Sequence, residues 1–162
     1  AEELLALASS DEKNKRMRLA KLAVIGAYIK RRGNLFIISE DRKKIRSREI
    51  EFCIIESLSN LRLLDIIPSF VFSLDEDIAS VAALKIYDVF EFFIEELLDT
   101  ATALFVKISE KEGSVSMRMM FGTKSPEAKI LTDSEILSGA DIIIENSDDD
   151  IIIDVLIPKE VM

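Results

Sequence analysis

Histidine and tryptophan are absent from this 162-residue chain, which has one cysteine, three prolines and five glycines. Without histidine there is no imidazole base, no histidine metal ligand and no phosphohistidine within these residues. The lone Cys53 closes no internal disulfide and cannot build a cysteine zinc site, and one thiol without a disulfide pattern suits a reducing cytoplasm. So few glycines leave little for a loop that cradles phosphate through its backbone. No apolar run of about 18 residues occurs and no signal peptide is seen, so nothing here reads as a bilayer-spanning helix.

What is present is a core. Hydrophobic residues make up 49% of the chain, ample for one globular domain or a domain plus a helical arm, and this excludes disordered and fibrous classes. The net charge of −9 is split: residues 1–48 carry 13 Lys/Arg against 6 Asp/Glu, net +7, and the remainder carries 8 against 24, net −16. A body that acidic repels nucleic-acid phosphates, so no nucleic-acid partner is expected. The basic front (Lys13, Lys15, Arg16, Arg18, Lys21, Lys30, Arg31, Arg32) would suit an anionic lipid surface if a membrane-anchored parent chain preceded it. The start at Ala1 rather than Met reads as part of something longer, although a solvated helix face explains the cations more simply.

Residues 12–38 read as a long helix with a stripe of apolar and small residues at Leu19, Leu22, Ala23, Gly26, Ile29 and Gly33, and with Tyr28 outside it. A second helix starts near Ser47, its expected N-cap, with a stripe at Ile50, Cys53, Ile54, Leu58, Leu61 and Leu64. Ile67–Ser73 reads as a strand, edge-placed because of Pro68. A third helix over about 78–98 is striped by Ile86, Val89, Phe90, Phe93, Ile94, Leu97 and Leu98. Strands over roughly 102–109 and 114–121 turn at Glu110–Gly113, where the glycine supplies a positive φ. Ser125-Pro126-Glu127 signals a further, weak helix ending before Gly139. A closing hairpin pairs Asp141–Glu145 with Ile151–Ile157. The expected fold is α+β: a helical pair over 1–65, then, over 66–162, a mixed sheet with helices on one face.

Three stretches of this order carry a family likeness. Ala83–Glu91 resembles the opening of the N-box helix of sensor histidine kinases, Ala101–Phe121 the two strands after it, and Ser138–Pro158 the closing hairpin that ends in Leu-x-Pro. Over residues 66–158 the chain resembles the ATP-binding, Bergerat-type α/β sandwich of that family, and the preceding helices fall where the family keeps its dimerisation helices. The resemblance implies ATP and Mg²⁺ as ligands, a homodimer paired through the N-terminal helices, and a response-regulator-like protein partner.

The same likeness shows what has been lost. Where the family places an acid followed four residues later by asparagine, this chain has Glu91, Glu95 and Glu96; the Glu56…Asn60 pair has the spacing but lies one helix too early. The adenine-reading Asp-x-Gly-x-Gly is reduced to Gly122 near Lys124, and the second glycine box to Gly139. Glu91, Glu95, Glu96, Gly122, Lys124 and Gly139 are therefore the nucleotide and Mg²⁺ candidates, with no catalytic residue and no dedicated metal site expected. Glu95 and Glu96 point about 100° apart on a helix and form no acid/base dyad. Asp148–Asp150 lacks the spacing of a calcium loop and reads as a solvated turn. Phe90, Phe92, Phe93, Phe105, Met117, Met119 and Met120 read as packing residues.

The expected function is a signalling module of histidine-kinase type with degenerate ATP-binding motifs, acting by dimerisation and contact. The alternatives are a working ATP-binding kinase domain with divergent boxes, whose histidine lies outside these residues, and an unrelated α+β interaction domain.

Overall fold

The computed structural model describes residues 1–160. Its elements are α1 (Glu2–Asp41), β1 (Lys44–Ile45), α2 (Ser47–Leu61), β2 (Ile67–Ser73), β3 (Ile78–Ala79), α3 (Ser80–Leu97), β4 (Ala101–Lys111), β5 (Ser114–Thr123), β6 (Asp141–Asn146) and β7 (Asp150–Pro158), with single 3₁₀ turns at Arg62–Leu64 and Glu135–Leu137. The last four strands and β2 form one mixed sheet in the order β2-β4-β5-β7-β6, in which only the β2–β4 pairing is parallel. Pro68 sits on the edge strand β2, where its missing N–H breaks no ladder on the open side.

Alternation along the strands fixes which face is covered. Leu104, Val106 and Ile108 of β4, Val115, Met117, Met119 and Phe121 of β5, and Ile151, Ile153, Val155 and Ile157 of β7 are buried and belong to one core with Ile86, Val89, Phe90, Phe93, Ile94 and Leu97 of α3. The opposite face carries Lys107, Arg118 and Asp154, and among the described residues no helix covers it. The β4–β5 turn places both Glu112 and Gly113 at positive φ (49° and 77°), the two-residue hairpin geometry that follows the strand twist.

Helix α2 buries the whole stripe expected of it, Ile50 to Leu61, against the body. Its cap differs: Arg46 occupies the N-cap position and Ser47 lies inside the first turn, without a side-chain capping bond. Helix α1 is longer than its apolar pattern, because the Glu, Leu and Ala of the first turns are strong helix formers. It also packs on a different face. Val24 and Leu35 are buried with Ala20, Tyr28 and Ile38 around them, while Leu19, Leu22 and Ile29 stand in solvent. At 100° per residue the two sets lie on about opposite sides of the helix.

A small antiparallel ribbon, β1 with β3, pins the α1–α2 connection to the start of α3, helped by the bond from Ser80 N–H to the Lys43 carbonyl (2.9 Å). Neither strand is legible in two residues of sequence. The helix expected after Ser125 is not formed. Residues 124–140 run irregularly apart from the 3₁₀ turn, where Ser134 Oγ accepts from Ile136 N–H. Thr132, Asp133 and Ser134 compete locally for backbone groups and no apolar stripe spans the segment to repay helix formation. Among the described residues no helix is long and apolar enough to cross a membrane.

Candidate functional site

Two places hold the polar groups of interest: the junction where α1, α2 and α3 meet, and a cleft beside the 124–140 segment. At the junction, α1 grips α3 through one carboxylate. Tyr28 Oη donates to Asp88 Oδ1 (2.9 Å), and Arg32, one turn on, donates to both Asp88 oxygens (3.1 and 3.2 Å). The Tyr28 ring lies 5.4 Å from that of Tyr87. Two further ion pairs flank this clasp, Lys21 with Asp99 and Arg31 with Glu56. The basic front therefore spends three of its cations on the acidic body.

Below the clasp, α2 and α3 meet through hydroxyls. Ser57 Oγ and Tyr87 Oη lie 2.8 Å apart, both buried. Burial, with Asp88 beside it, pushes the Tyr28 hydroxyl well above its ordinary range; burial does the same to Tyr87, with the nearby Glu91 adding to it. Glu91 sits next to this pair, 2% exposed, and neither of its oxygens has a hydrogen-bond partner. Burial pushes its carboxyl up to about 7.

The cleft has a volume of about 650 Å³ and is walled by Leu137, Ala140, Ile142 and Ile144, with Thr132, Ser134 and Ser138 supplying hydroxyls. Its charged lining is Asp133 and Glu135; among the described residues no lysine or arginine lines it. The segment is held down on α3 by Lys85 Nζ, which donates to the Ile136 carbonyl (2.8 Å), and by the burial of Leu137.

The residues singled out from sequence do not converge. Glu91 faces Ser57 of α2, and Glu95 and Glu96 are exposed one turn further along α3. Glu56 is paired with Arg31, and Asn60 is half-buried near the end of α2. Gly122 is packed against the bulge at Thr102, where a Cβ would come within 3.2 Å of Thr102 Oγ1. Lys124 is exposed and donates its backbone N–H to the Thr100 carbonyl. Gly139, at φ 79°, lies in the turn that leads into β6. None of them lines the cleft, and no group of three Asp, Glu or Cys side chains among the described residues is placed to hold a metal. Asp88 lies within the Ala83–Glu91 stretch of the N-box likeness, but the sequence assigns it no role. The available signal was Tyr28, a lone aromatic off the apparent stripe, whose ring and hydroxyl need a partner when buried.

This arrangement, a helical segment followed by a mixed five-stranded sheet with α3 across one face, is the fold of the C-terminal region of histidine kinases. The histidine kinase domain of the blue-light activated kinase of Erythrobacter litoralis EL346 superposes with a TM-score of 0.59 at 12% identity, over 82% of this chain and 75% of that one. A solved structure described as a bacterial phosphotransferase matches over 96% of both chains, with a TM-score of 0.50 and 11% identity. The histidine kinase ThkA, in complex with the response regulator TrrA, matches over 98% of this chain and 64% of that one, with a TM-score of 0.52 and 11% identity. No protein-family model matches the sequence, and neither does any curated protein.

Proposed function

We propose that the chain is a signalling module of histidine-kinase type that pairs with itself and contacts a response-regulator-like protein without transferring phosphoryl groups. We divide it at about residue 65, the two helices serving assembly and the sandwich serving contact. The observation that carries the reading is the cleft: its charged lining is two carboxylates, and the residues expected to hold nucleotide and Mg²⁺ lie elsewhere. Nucleotide phosphates need cations or a helix N-terminus aimed at them, and a body of net charge −16 repels them. A chain with no histidine offers no phosphoacceptor of the kind the resemblance implies.

Self-association is supported by the outward face of α1. Leu19 and Leu22, with Gly26 and Ile29 following, form an exposed stripe, and Phe52 and Ile55 of α2 stand exposed as well, opposite that helix's buried stripe. Two helices that each bury one apolar side and leave another in water match the geometry of a two-fold bundle. Isothermal titration with ATP and ADP in the presence of Mg²⁺ tests the reading. We expect no binding; a micromolar dissociation constant would overturn it in favour of a working ATP-binding domain.

A further inference from the structure

Glu91 is the one acidic side chain among the described residues that the fold buries fully, and it is buried where the N-terminal helices meet the sandwich. A carboxylate taken from water costs several kcal/mol unless a cation or several donors compensate it. Here no cation compensates it, and the only donor beside it is the Ser57 hydroxyl. From α1 it meets Tyr28; from α2, Ser57, with Cys53 beyond; from α3 itself, Tyr87 and Glu95. The strand residues under α3 are apolar. The nearby cations are committed, Arg32 to Asp88 and Arg31 to Glu56. Ser57 and Tyr87 already share one hydrogen bond, so at most the one remaining hydroxyl proton of the pair is left for Glu91, far short of what a buried carboxylate needs.

We propose that Glu91 makes the docking of the N-terminal helices on the sandwich a proton-dependent equilibrium: with a proton on Glu91 the α2–α3 seam closes, and loss of that proton opens it. Separating α2 from α3 is enough to give the carboxylate water, and the sheet and its cover of α3 stay intact when that happens. The neutral acid, by contrast, fits the closed seam as a hydrogen-bond donor next to two hydroxyls.

The direction with pH follows from the closed state holding the proton more tightly than the open one. Burial lifts the Glu91 carboxyl from 4.5 to about 7. Closure is therefore strongest below the ordinary carboxylate range, weakens as pH rises towards 7, and is steady above that. Between pH 5 and 8 the opening constant rises on the order of 50-fold. The two tyrosines and Cys53 stay neutral through this window, because burial holds both hydroxyls far above it and pushes the thiol up to about 11. Glu95, raised by partial burial and by Glu96, is exposed on α3 and keeps its water whether the seam is open or closed.

Amide hydrogen exchange on the full chain from pH 5.5 to 8, corrected for the intrinsic rate at each pH, tests this. Protection of the amides over residues 53–61 should fall at least tenfold while that of β4 and β5 holds, and Glu91→Gln should flatten the dependence. Glu91→Met serves the same purpose should the amide prevent folding. A carbon-13 titration of the Glu91 carboxyl should have its midpoint near 7. The proposal is overturned by a midpoint at or below 5, by a pH profile unchanged in both variants, or by α2 and the sheet losing protection together.

Discussion

Tyr28 Oη donates a 2.9 Å hydrogen bond to Asp88 Oδ1, joining the first helix to the third across 60 positions of sequence. Arg32 closes on the same carboxylate from one turn further along α1. The uneven charge of the chain thereby acquires a structural meaning: Lys21, Arg31 and Arg32 of the basic front each meet an acid of the acidic body. Lys21–Asp99 has an exposed carboxylate and Arg31–Glu56 is half-exposed, so both add little at physiological salt. The inner clasp is partly buried, and its geometry is fixed by three hydrogen bonds from two residues.

Asp88→Ala should therefore destabilise the chain by about 1.5–3 kcal/mol, the range for a charge-assisted cluster that leaves a half-buried arginine and a tyrosine hydroxyl unpaired. Tyr28→Phe should cost about 1 kcal/mol, and the two changes together less than their sum, because they share the bond. Urea unfolding of the three variants measures this. Strict additivity would show that the clasp contributes nothing as a unit.

The exposed face of α1 allows folding and pairing to be separated. Leu22 and Ile29 are each 64% exposed in the single chain. The pair Leu22→Glu and Ile29→Glu should thus change the unfolding midpoint by no more than a few degrees. In the dimer it would leave charges where apolar surface was covered, at about 1.5–3 kcal/mol for each lost leucine or isoleucine contact, a hundredfold or more in association. Light scattering at tens of micromolar should read a dimer for the parent chain and a monomer for the variant. A parent chain that is itself monomeric at that concentration removes the self-pairing.

Saturating Mg·ATP should leave the melting temperature unchanged to within about 1 °C. A ligand present at 100 times its dissociation constant would add about 2.7 kcal/mol, which in a chain of this size is roughly 5–10 °C. The margin between the outcomes is wide, so a thermal shift assay suffices.

The sheet was legible because Val115, Met117 and Met119 alternate with Ser116 and Arg118 and because the closing strands are rich in isoleucine, as in Ile151–Ile153, and α3 because one strong stripe faces one core. Helix α1 misled because it is apolar on two sides. A period of 3.6 identifies both sides equally and cannot say which one meets the body, and the choice is made by Tyr28 and Arg32 finding Asp88 on a distant element. The candidate residues follow from a likeness to a nucleotide site. Where Glu91 points depends on how α2 packs against α3, a long-range contact that no local pattern contains. The segment after Ser125 carried a good helix start but no stripe to sustain the helix, and packing drew it down on α3 as irregular chain.

Gly122 and Gly139 are required for different physical reasons, and substitution separates them. At Gly139 there is open space around the missing Cβ, but φ is 79°. Gly139→Ala should cost about 1 kcal/mol through backbone strain alone, and Gly139→Asn less, since asparagine tolerates the left-handed region. At Gly122 the constraint is contact: a Cβ would sit 3.2 Å from Thr102 Oγ1 and 3.4 Å from the Ala103 Cβ. Gly122→Ala should cost about 1 kcal/mol, and the added Thr102→Ala should recover much of it, because Thr102 is exposed at the bulge and its hydroxyl is the nearest obstacle. The same threonine change should leave the Gly139→Ala deficit untouched. Thermal unfolding of the single and double variants decides the matter: rescue at 122 and none at 139 confirms contact in one case and backbone in the other, and equal rescue at both would show that neither glycine is held for the reason given.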